Sequence, residues 1–374
     1  MKEKLSALRS KYIIDGIQQE LTPSQMLESL GGLCADDALG GEEWLAGRIV
    51  DESSSPGPSS FETDPAKTEK YLDKVLGATR RPSMVFSAEY TRSRIEQVLI
   101  DCIWRVGHFS LGDLGLDLRW TWNDRRLGNM AALYSSVCAA TEYIDALGIG
   151  IRSYSEAHGD CSLELSAGLR PGAGEDLLVE NPFGSEKPRL GQGSISSVLA
   201  PDPQSWVVYI PFDTSSYRLG GSLLAQVLGA SPAVAPSVND PDYFIDCFEV
   251  VRELVEDGIL LSGATVSGGG LITALKGMTT AKTGVDVDLS DLRRAMGEDD
   301  PVRLLFAEVP GAVVQIRDID FDYLDAELLL QDVAFYPLGH PVAGGRLRLH
   351  SSQRTGIQNI LESLIRSQSG EGED

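Results

Sequence analysis

The pattern of hydrophobic and polar positions divides the chain into a sparse first part and a denser second part. Residues 1–50 predict short helices. The clearest of these begins at residues 22–25, TPSQ, with a hydroxyl cap, proline at the first helical position and glutamine at the third. Residues 51–66 are acidic and rich in serine and proline, which predicts a linker. A further helix is predicted over residues 67–80.

From about residue 83 onward, apolar positions recur at helical and strand spacings in turn. Helices are predicted over residues 93–106, 128–148, 240–257, 270–281, 290–296, 320–331 and 356–367. Strands are predicted over residues 114–122, 163–166, 195–199, 206–212, 259–262, 285–289, 303–308, 312–316, 335–338 and 346–349. This alternation favours an α+β or α/β fold, with a layer of helices on mixed sheets.

Composition narrows the classes of function. The 374 residues carry a net charge of −23, which disfavours binding to nucleic acid or to an anionic membrane surface. No apolar run approaches the roughly eighteen residues of a membrane span, and the N-terminus has no signal-peptide core or transit-peptide character. The five cysteines are scattered, which predicts a reduced, cytoplasmic compartment, and the four histidines have no zinc spacing.

The most informative stretch is residues 258–275, GILLSGATVSGGGLITAL. A predicted strand enters a turn with three consecutive glycines, residues 268–270, and leaves as a helix. Such a turn gathers backbone N–H groups around one point, which suits a phosphate or a carboxylate. No ionisable side chain lies between Asp257 and Lys276. A tight turn that packs a helix onto a strand needs glycine equally, so both interpretations stay open.

Four motifs follow one another in a specific order: FDTSSYRLGGSLLAQ (212–226), the helix over 242–258, LSGATVSGGGLITAL (261–275) and RLLFAEVPGAVVQI (303–316). In this order they resemble phosphoribosylformylglycinamidine synthase and, more broadly, the superfamily of aminoimidazole ribonucleotide (AIR) synthetase. Residues 120–149 are similar to the helix that follows the sheet in the synthase module of that ligase.

The resemblance covers residues 93–350 and implies a fold and a division of the chain. It implies a partial, ferredoxin-like domain of the AIR-synthetase N-terminal type over residues 93–200, which pairs into a barrel. An α/β domain of the AIR-synthetase C-terminal type follows over residues 201–350. The remaining divisions are a helical N-terminal segment (1–50), a linker with a short helix (51–92), and a C-terminal helix with an acidic tail (351–374).

The resemblance also implies a chemistry. ATP with Mg²⁺ would phosphorylate the amide oxygen of formylglycinamide ribonucleotide and leave as ADP, and ammonia would then displace that oxygen as phosphate. ATP or ADP and Mg²⁺ are therefore the implied cofactors. The implied partner is a second copy or a related synthase chain. The chain departs from this pattern at the His-Asp pair before the glycine turn, where it has Ala264 and Thr265, neither of which acts as a general acid or base. The family's Gly-Lys-Asp-Ser segment corresponds to residues 159–162, GDCS, without the lysine.

The candidate site residues each have a functional and a structural interpretation. Glu308 is a candidate Mg²⁺ ligand or a carboxylate that caps a turn. His158 and Asp160 are weak candidates for catalysis, or residues of a solvated loop. Ser222 contacts substrate or caps a helix. The candidates for binding nucleotide or phosphate are Gly220, Gly221, Ser222, Ser267, Gly268, Gly269 and Gly270.

Two further groups have both interpretations. Trp120 and Trp122 alternate on a strand, which predicts either an interface or, preferably, core packing under the following helix. The acids at residues 318, 320, 322 and 325 suggest a cation cluster, or acids that complement a helix dipole.

Three hypotheses follow. The first is a diverged, non-catalytic synthase-like module that acts by association. The second is a working amidotransferring ligase subunit that converts formylglycinamide ribonucleotide to its amidine, with missing groups supplied by a partner. The third is a regulatory binder of purine nucleotides. The absent His-Asp pair favours the first and third.

Overall fold

The computed structural model describes residues 5–35, 44–49, 61–82, 85–123, 127–170, 194–230, 235–238 and 240–350. The helices are α1 Pro23–Ser29, α2 Thr68–Leu76, α3 Ser87–Ile103, α4 Leu127–Ala146, α5 Leu223–Leu228, α6 Pro241–Glu256, α7 Leu271–Met278, α8 Ser290–Met296, α9 Pro301–Phe306 and α10 Phe321–Leu330. The strands are β1 Lys11–Ile14, β2 Ile17–Gln18, β3 Leu33–Cys34, β4 Trp44–Gly47, β5 Leu114–Trp122, β6 Gly150–His158, β7 Ser162–Leu169, β8 Trp206–Pro211, β9 Leu260–Val266, β10 Thr283–Asp288, β11 Gly311–Ile316, β12 Tyr336–Ala343 and β13 Leu347–His350.

A mixed sheet of six strands, in the order β13-β10-β12-β8-β11-β9, forms the second half of the molecule. Every residue of β11 is buried, as expected for a strand covered on both faces. In its antiparallel register, Val313 of β11 faces Tyr209 of β8 on one side and Ala264 of β9 on the other. Helix α7 packs against β9, β11 and α9, which places the glycine turn at the edge of this sheet.

A four-stranded sheet, in the order β3-β6-β5-β7, and a three-stranded sheet, in the order β2-β1-β4, lie in the first half. Helices α3 and α4 pack on the face that carries Trp120 and Trp122, which are 0% and 4% exposed. The indole N–H of Trp120 donates to Ser136 Oγ at 3.0 Å, and that of Trp122 donates to the carbonyl oxygen of Asn129 at 2.6 Å. These contacts confirm the predicted core packing. Because both donors are satisfied, each indole is buried without an unpaired polar atom.

Helix α3 connects the four-stranded and six-stranded sheets, because it packs against α4 and β7 on one side and against α6 and β9 on the other. It begins at Ser87, six residues before the boundary predicted at residue 93. The α+β class is confirmed by these mixed sheets and their helices, while the exact domain boundaries stay predictions. Within the described ranges, every helix is too short or too polar to traverse a bilayer.

Several predicted elements need correction. The N-terminal segment was predicted as helical, but its described residues form one helix, α1, and four short strands. The cap of α1 is confirmed, since Thr22 and Gln25 form a reciprocal capping box. The strand predicted over residues 195–199 is wrong; an isolated bridge forms there, at Ser196, and another just before it, at Ser194. The C-terminal helix and tail, residues 51–60 and most of the loop at 168–192 lie outside the described residues.

The strand predicted over residues 303–308 is a helix, α9. Asp300 caps it through the N–H of Val302, and Pro301 occupies the first helical position, so a start signal outweighed the apolar run. Strand β6 was missed because most of its side chains are polar and half-buried, with Ile151 and Tyr154 as its buried apolar positions. Ser290 begins α8 but does not cap it, since it donates to Asp288 instead.

Candidate functional site

The glycine turn between β9 and α7 is tightly packed. Gly269 and Gly270 have φ of +88° and +77°, a region that glycine adopts without the cost of a side chain. A Cβ on Gly270 would lie 2.6 Å from the carbonyl oxygen of Leu305 and 2.7 Å from the carbonyl carbon of Phe306. The glycines therefore let the start of α7 approach α9 closely, which is the structural interpretation raised from sequence.

The two glycine-containing turns meet at Glu308, which follows α9. Its Oε1 accepts a hydrogen bond from the N–H of Gly269 at 2.8 Å and another from the N–H of Leu223 at 2.8 Å. Glu308 is 3% exposed. The structure thus brings residues 220–222, residues 267–270 and Glu308 together. The anion at their meeting point is a carboxylate of the chain itself.

Arg80 completes the surroundings of this carboxylate. Its Nη2 lies 2.7 Å from Glu308 Oε2, and its guanidinium stacks over the ring of Tyr90 at 4.6 Å from the ring centroid. The Arg80 side chain is 13% exposed. A carboxylate that accepts two backbone N–H groups and faces a guanidinium is stabilised in its charged form, because each partner offsets part of the lost hydration.

Ser222 caps α5, as predicted from sequence. Its Oγ accepts from the N–H of Ala225 at 3.1 Å and donates to the carbonyl oxygen of Leu219 at 2.7 Å. The hydroxyl is therefore engaged at both its donor and an acceptor position. Gly220 and Gly221 border a small cleft of about 20 Å³ beside Glu308, whose other walls come from Arg80, Phe86, Glu89, Tyr90, Ser93, Ala235, Pro236 and Val238.

The contacts of Glu308 decide how well the site fits ATP and Mg²⁺. Both carboxylate oxygens are engaged, one by backbone N–H groups and one by Arg80. A phosphate at the same N–H groups would have to displace the carboxylate. Among the described residues, no group of three or more His, Cys, Asp or Glu side chains is placed to hold a metal ion. The role of a turn-capping carboxylate matches these contacts, whereas neither phosphate nor Mg²⁺ fits this arrangement.

The positions of the family's His-Asp pair lie on β9, just before the turn. Ala264 offers only a methyl group. Thr265 Oγ1 accepts from the indole N–H of Trp104 at 2.9 Å and donates to Asp101 Oδ1 at 2.5 Å. Thr265 therefore links β9 to α3 through its hydroxyl.

His158 and Asp160 lie apart from the glycine turns. His158 is the last residue of β6, paired in register with Trp122, and both candidates are exposed. They belong to the four-stranded sheet, whereas Glu308 and the glycine turns belong to the six-stranded half. Their role in catalysis stays a prediction. In the structure, neither residue belongs to the group around Glu308.

The acids around the start of α10 have structural partners. Asp318 Oδ1 accepts from the indole N–H of Trp206 at 2.8 Å. Asp320 Oδ2 lies 3.5 Å from Arg317 Nη1. These contacts and the position of the acids at a helix start fit the dipole interpretation better than a cation cluster.

Arg80 was missed by sequence reasoning. It lies in the segment before residue 93, where no motif resembles the family, and an arginine in a polar stretch gives no signal of its own. The role of Glu308 was among the alternatives, but its partners come from residues 39 and 85 positions away. Only the folded arrangement brings them together.

Known structures share this fold, which is the AIR-synthetase-like α/β architecture that the sequence predicts. No family model matches the chain. It is similar to phosphoribosylformylglycinamidine synthase of Homo sapiens, with 28% identity over 56% of this chain and 15% of the human protein. A probable chloroplastic/mitochondrial phosphoribosylformylglycinamidine synthase of Arabidopsis thaliana is 24% identical over 67% of this chain and 17% of its own length. The predicted resemblance is therefore confirmed, and the chain spans about a sixth of the length of these relatives.

Solved structures give the same fold. PurLQS from Thermotoga maritima aligns with a TM-score of 0.51 and 14% identity, over 76% of this chain and 46% of that chain. Thermotoga maritima PurL complexed with FGAR aligns with a TM-score of 0.51 and 12% identity, over 75% of this chain and 42% of that chain. At such identities the likeness concerns the fold alone.

Proposed function

We propose that this chain is a diverged, non-catalytic module of the phosphoribosylformylglycinamidine synthase type, of purine-biosynthesis origin, that acts by association with another protein chain. The observation that carries the proposal is the position of Glu308. Its carboxylate holds the backbone N–H groups of Gly269 and Leu223, where the resemblance implies a phosphate.

The side chains beside the turn support the same proposal. Where the family has a general acid or base, the chain has Ala264 and Thr265, and the Thr265 hydroxyl is bonded to Trp104 and Asp101. A general acid or base typically contributes about 10²–10⁴-fold to a rate. Without that contribution and without a free phosphate site, turnover at this position would be negligible.

The open face of the four-stranded sheet is the proposed association surface. Helices α3 and α4 pack on the opposite face, and the side chains of Arg119 on β5 and Glu164 on β7 are exposed and opposite each other in the register. Charges of both signs on neighbouring strands make such a face able to pair with a copy of itself or with a related sheet. The resemblance, in which ferredoxin-like sheets pair into a barrel, motivates this choice.

Light scattering on the eluting protein tests the association. We expect a mass above that of one chain, and a lower associated fraction for Arg119→Glu. Arg294→Glu is the matched control, because Arg294 is an exposed arginine on α8 in the other half of the molecule. A strictly monomeric chain, or an equal effect of both variants, would count against association through this face.

Ammonia-dependent ATP hydrolysis with formylglycinamide ribonucleotide tests the absence of catalysis. We expect no turnover above background. Turnover that Glu308→Ala abolishes would instead support an active ATP-dependent ligase subunit, the alternative raised from sequence. We place the module in the cytoplasm, in keeping with five cysteines that are all free.

A second candidate function is the regulatory binding of a purine nucleotide at the cleft beside Glu308, whose walls include Gly220, Gly221 and Arg80. The cleft holds only about 20 Å³, so a nucleotide would have to open it in order to bind. Thermal-shift measurements with ATP, ADP and Mg²⁺ separate the two candidates, because a ligand that binds the folded state raises its stability. A clear, saturable rise would favour the nucleotide binder over the purely associative module.

A further inference from the structure

Residues 61–82, here named the cover segment, lie directly over the glycine turn. Their helix, α2, packs against α5 and α7, the two helices that begin at the glycine-containing turns. Val75 of α2 is 2% exposed, and a Cβ on Gly269 would lie 2.5 Å from its Cγ1. Tyr71 is also buried, and its ring packs edge-on against the ring of Phe306, with 6.2 Å between the ring centroids. The cover segment therefore closes the turn from the outside with apolar contacts.

Polar contacts fasten the end of the cover segment. Gln226 of α5 accepts from the N–H of Arg81 at 3.1 Å and donates to the carbonyl oxygen of Thr79 at 3.2 Å. These two bonds hold the backbone on either side of Arg80, whose guanidinium is then aimed at Glu308 Oε2. Near the other end, the hydroxyl of Thr63 bonds to the carboxylate of Asp300, just before α9.

Arg80 is more than a surface cation at this point. Its Nε and Nη1 are buried and have no hydrogen-bond partner among the described residues. Among the described residues, the ion pair with Glu308 and the stacking on the Tyr90 ring therefore have to offset the hydration that the buried guanidinium has lost. Such a group strongly favours an anion at the position of the Glu308 carboxylate.

We propose that the cover segment is an intrinsic lid that locks the Glu308 carboxylate into the glycine turn and thereby excludes external phosphate. The turn, the N–H of Leu223 and Arg80 form a complete anion site, and its resident anion is internal. When the resident carboxylate is removed, the site takes a small carboxylate from solution. This inference does not depend on the associative role, because the lid acts on the turn whether or not the chain associates.

Rescue by formate tests the proposal. We expect sodium formate to raise the melting temperature of Glu308→Ala in a saturable manner, relative to sodium chloride at the same ionic strength. The wild-type chain and the double variant Arg80→Ala/Glu308→Ala should respond equally to the two salts. Equal responses of Glu308→Ala to formate and chloride would overturn the proposal.

Hydrogen exchange tests the lid without relying on a variant at Glu308. In Arg80→Ala we expect faster exchange of the amides of Leu223 and Gly269 than in the wild-type chain. Arg81→Ala is the matched control, since it removes a neighbouring exposed arginine and keeps the backbone bond to Gln226. Equal exchange in the two variants would contradict a latch at Arg80. Neither experiment reads out association or ATP turnover, so each can fail independently of the proposed function.

Discussion

Two buried glutamates show how differently the molecule treats the same side chain. Glu308, at the glycine turn, is 3% exposed and has two backbone N–H donors and a guanidinium as partners. Glu96, between α3 and α4, is 0% exposed. One of its oxygens bonds to the hydroxyl of Tyr143, while Oε2 has no hydrogen-bond partner among the described residues. Glu308 Oε2 likewise has no hydrogen bond there, but it lies 2.7 Å from Arg80 Nη2 in an ion pair. Glu308 and Glu96 are therefore buried to a similar depth but have very different partners.

The surroundings of Glu96 determine its protonation. Burial raises the pKa of Glu96 well above its usual range, and the nearby carboxylates of Asp213 and Asp240 raise it further. Its hydrogen bond with Tyr143 acts in the opposite direction but does not compensate. A protonated carboxyl is the less costly state in such surroundings.

We expect the largest change in the free energy of unfolding from a substitution at the glycine turn. Glu308→Ala would leave Arg80 and two buried N–H groups without their acceptor, and breaking one partner of a buried ion pair typically costs about 3–5 kcal/mol. We expect a fall of that order in the free energy of unfolding, measured by urea denaturation. Glu308→Gln keeps an acceptor for the N–H groups and should lose less.

Glu253→Ala provides the control for this prediction. Glu253 is an exposed glutamate on α6, so its removal should change the free energy of unfolding by no more than about 0.5 kcal/mol. If Glu308→Ala behaved like Glu253→Ala, the carboxylate would contribute nothing to the turn, and the comparison of the two glutamates would fail.

The second prediction concerns pH and Glu96. Because folding raises its pKa, its stabilising contribution is complete below the ordinary glutamate pKa of about 4.3 and is lost as pH rises through the folded-state value. We expect Glu96→Gln, which stays neutral, to lose less stability than the wild-type chain as pH is raised from this point. Urea denaturation at a series of pH values measures the slopes. Parallel slopes for both proteins would show that Glu96 does not titrate as described.

A smaller effect is expected at the position of the family's acid-base pair. Thr265→Val keeps the shape of the side chain and removes the hydroxyl that links Trp104 and Asp101. Losing these bonds should cost about 1 kcal/mol in the free energy of unfolding, the usual net value for a hydrogen bond. The same variant should leave the mass of the assembly unchanged. No loss of stability would indicate that the hydroxyl has no structural role.

From the sequence we predicted most of the described helices and strands. At the candidate site we predicted the glycine turns and Glu308, but not Arg80. Strand β5 alternates so regularly that its bounds matched the structure at both ends. Strand β6 was hidden because most of its side chains are polar and half-buried, and α9 was mistaken for a strand despite its Asp-Pro start signal. The glycine turn was found, since its chemistry is local.

The occupant of the turn could not be found in the same way. Glu308 was recognised as a candidate, but the identity of its partners depends on contacts across the fold, with Leu223 and Gly269. Arg80 approaches from a segment whose sequence carries no pattern linking it to the turn. Long-range pairing of this kind is set by tertiary packing, which local periodicity does not encode.

The amide resonances of Gly269 and Leu223 test whether Glu308 keeps external phosphate out of the glycine turn. In a chain with isotope-labelled glycine and leucine, they report whether an external phosphate reaches the turn. The account predicts that they stay unchanged when phosphate or ATP with Mg²⁺ is added to the wild-type protein. Saturable shifts of both resonances would mean that Glu308 yields its place to the ligand, and would contradict the account.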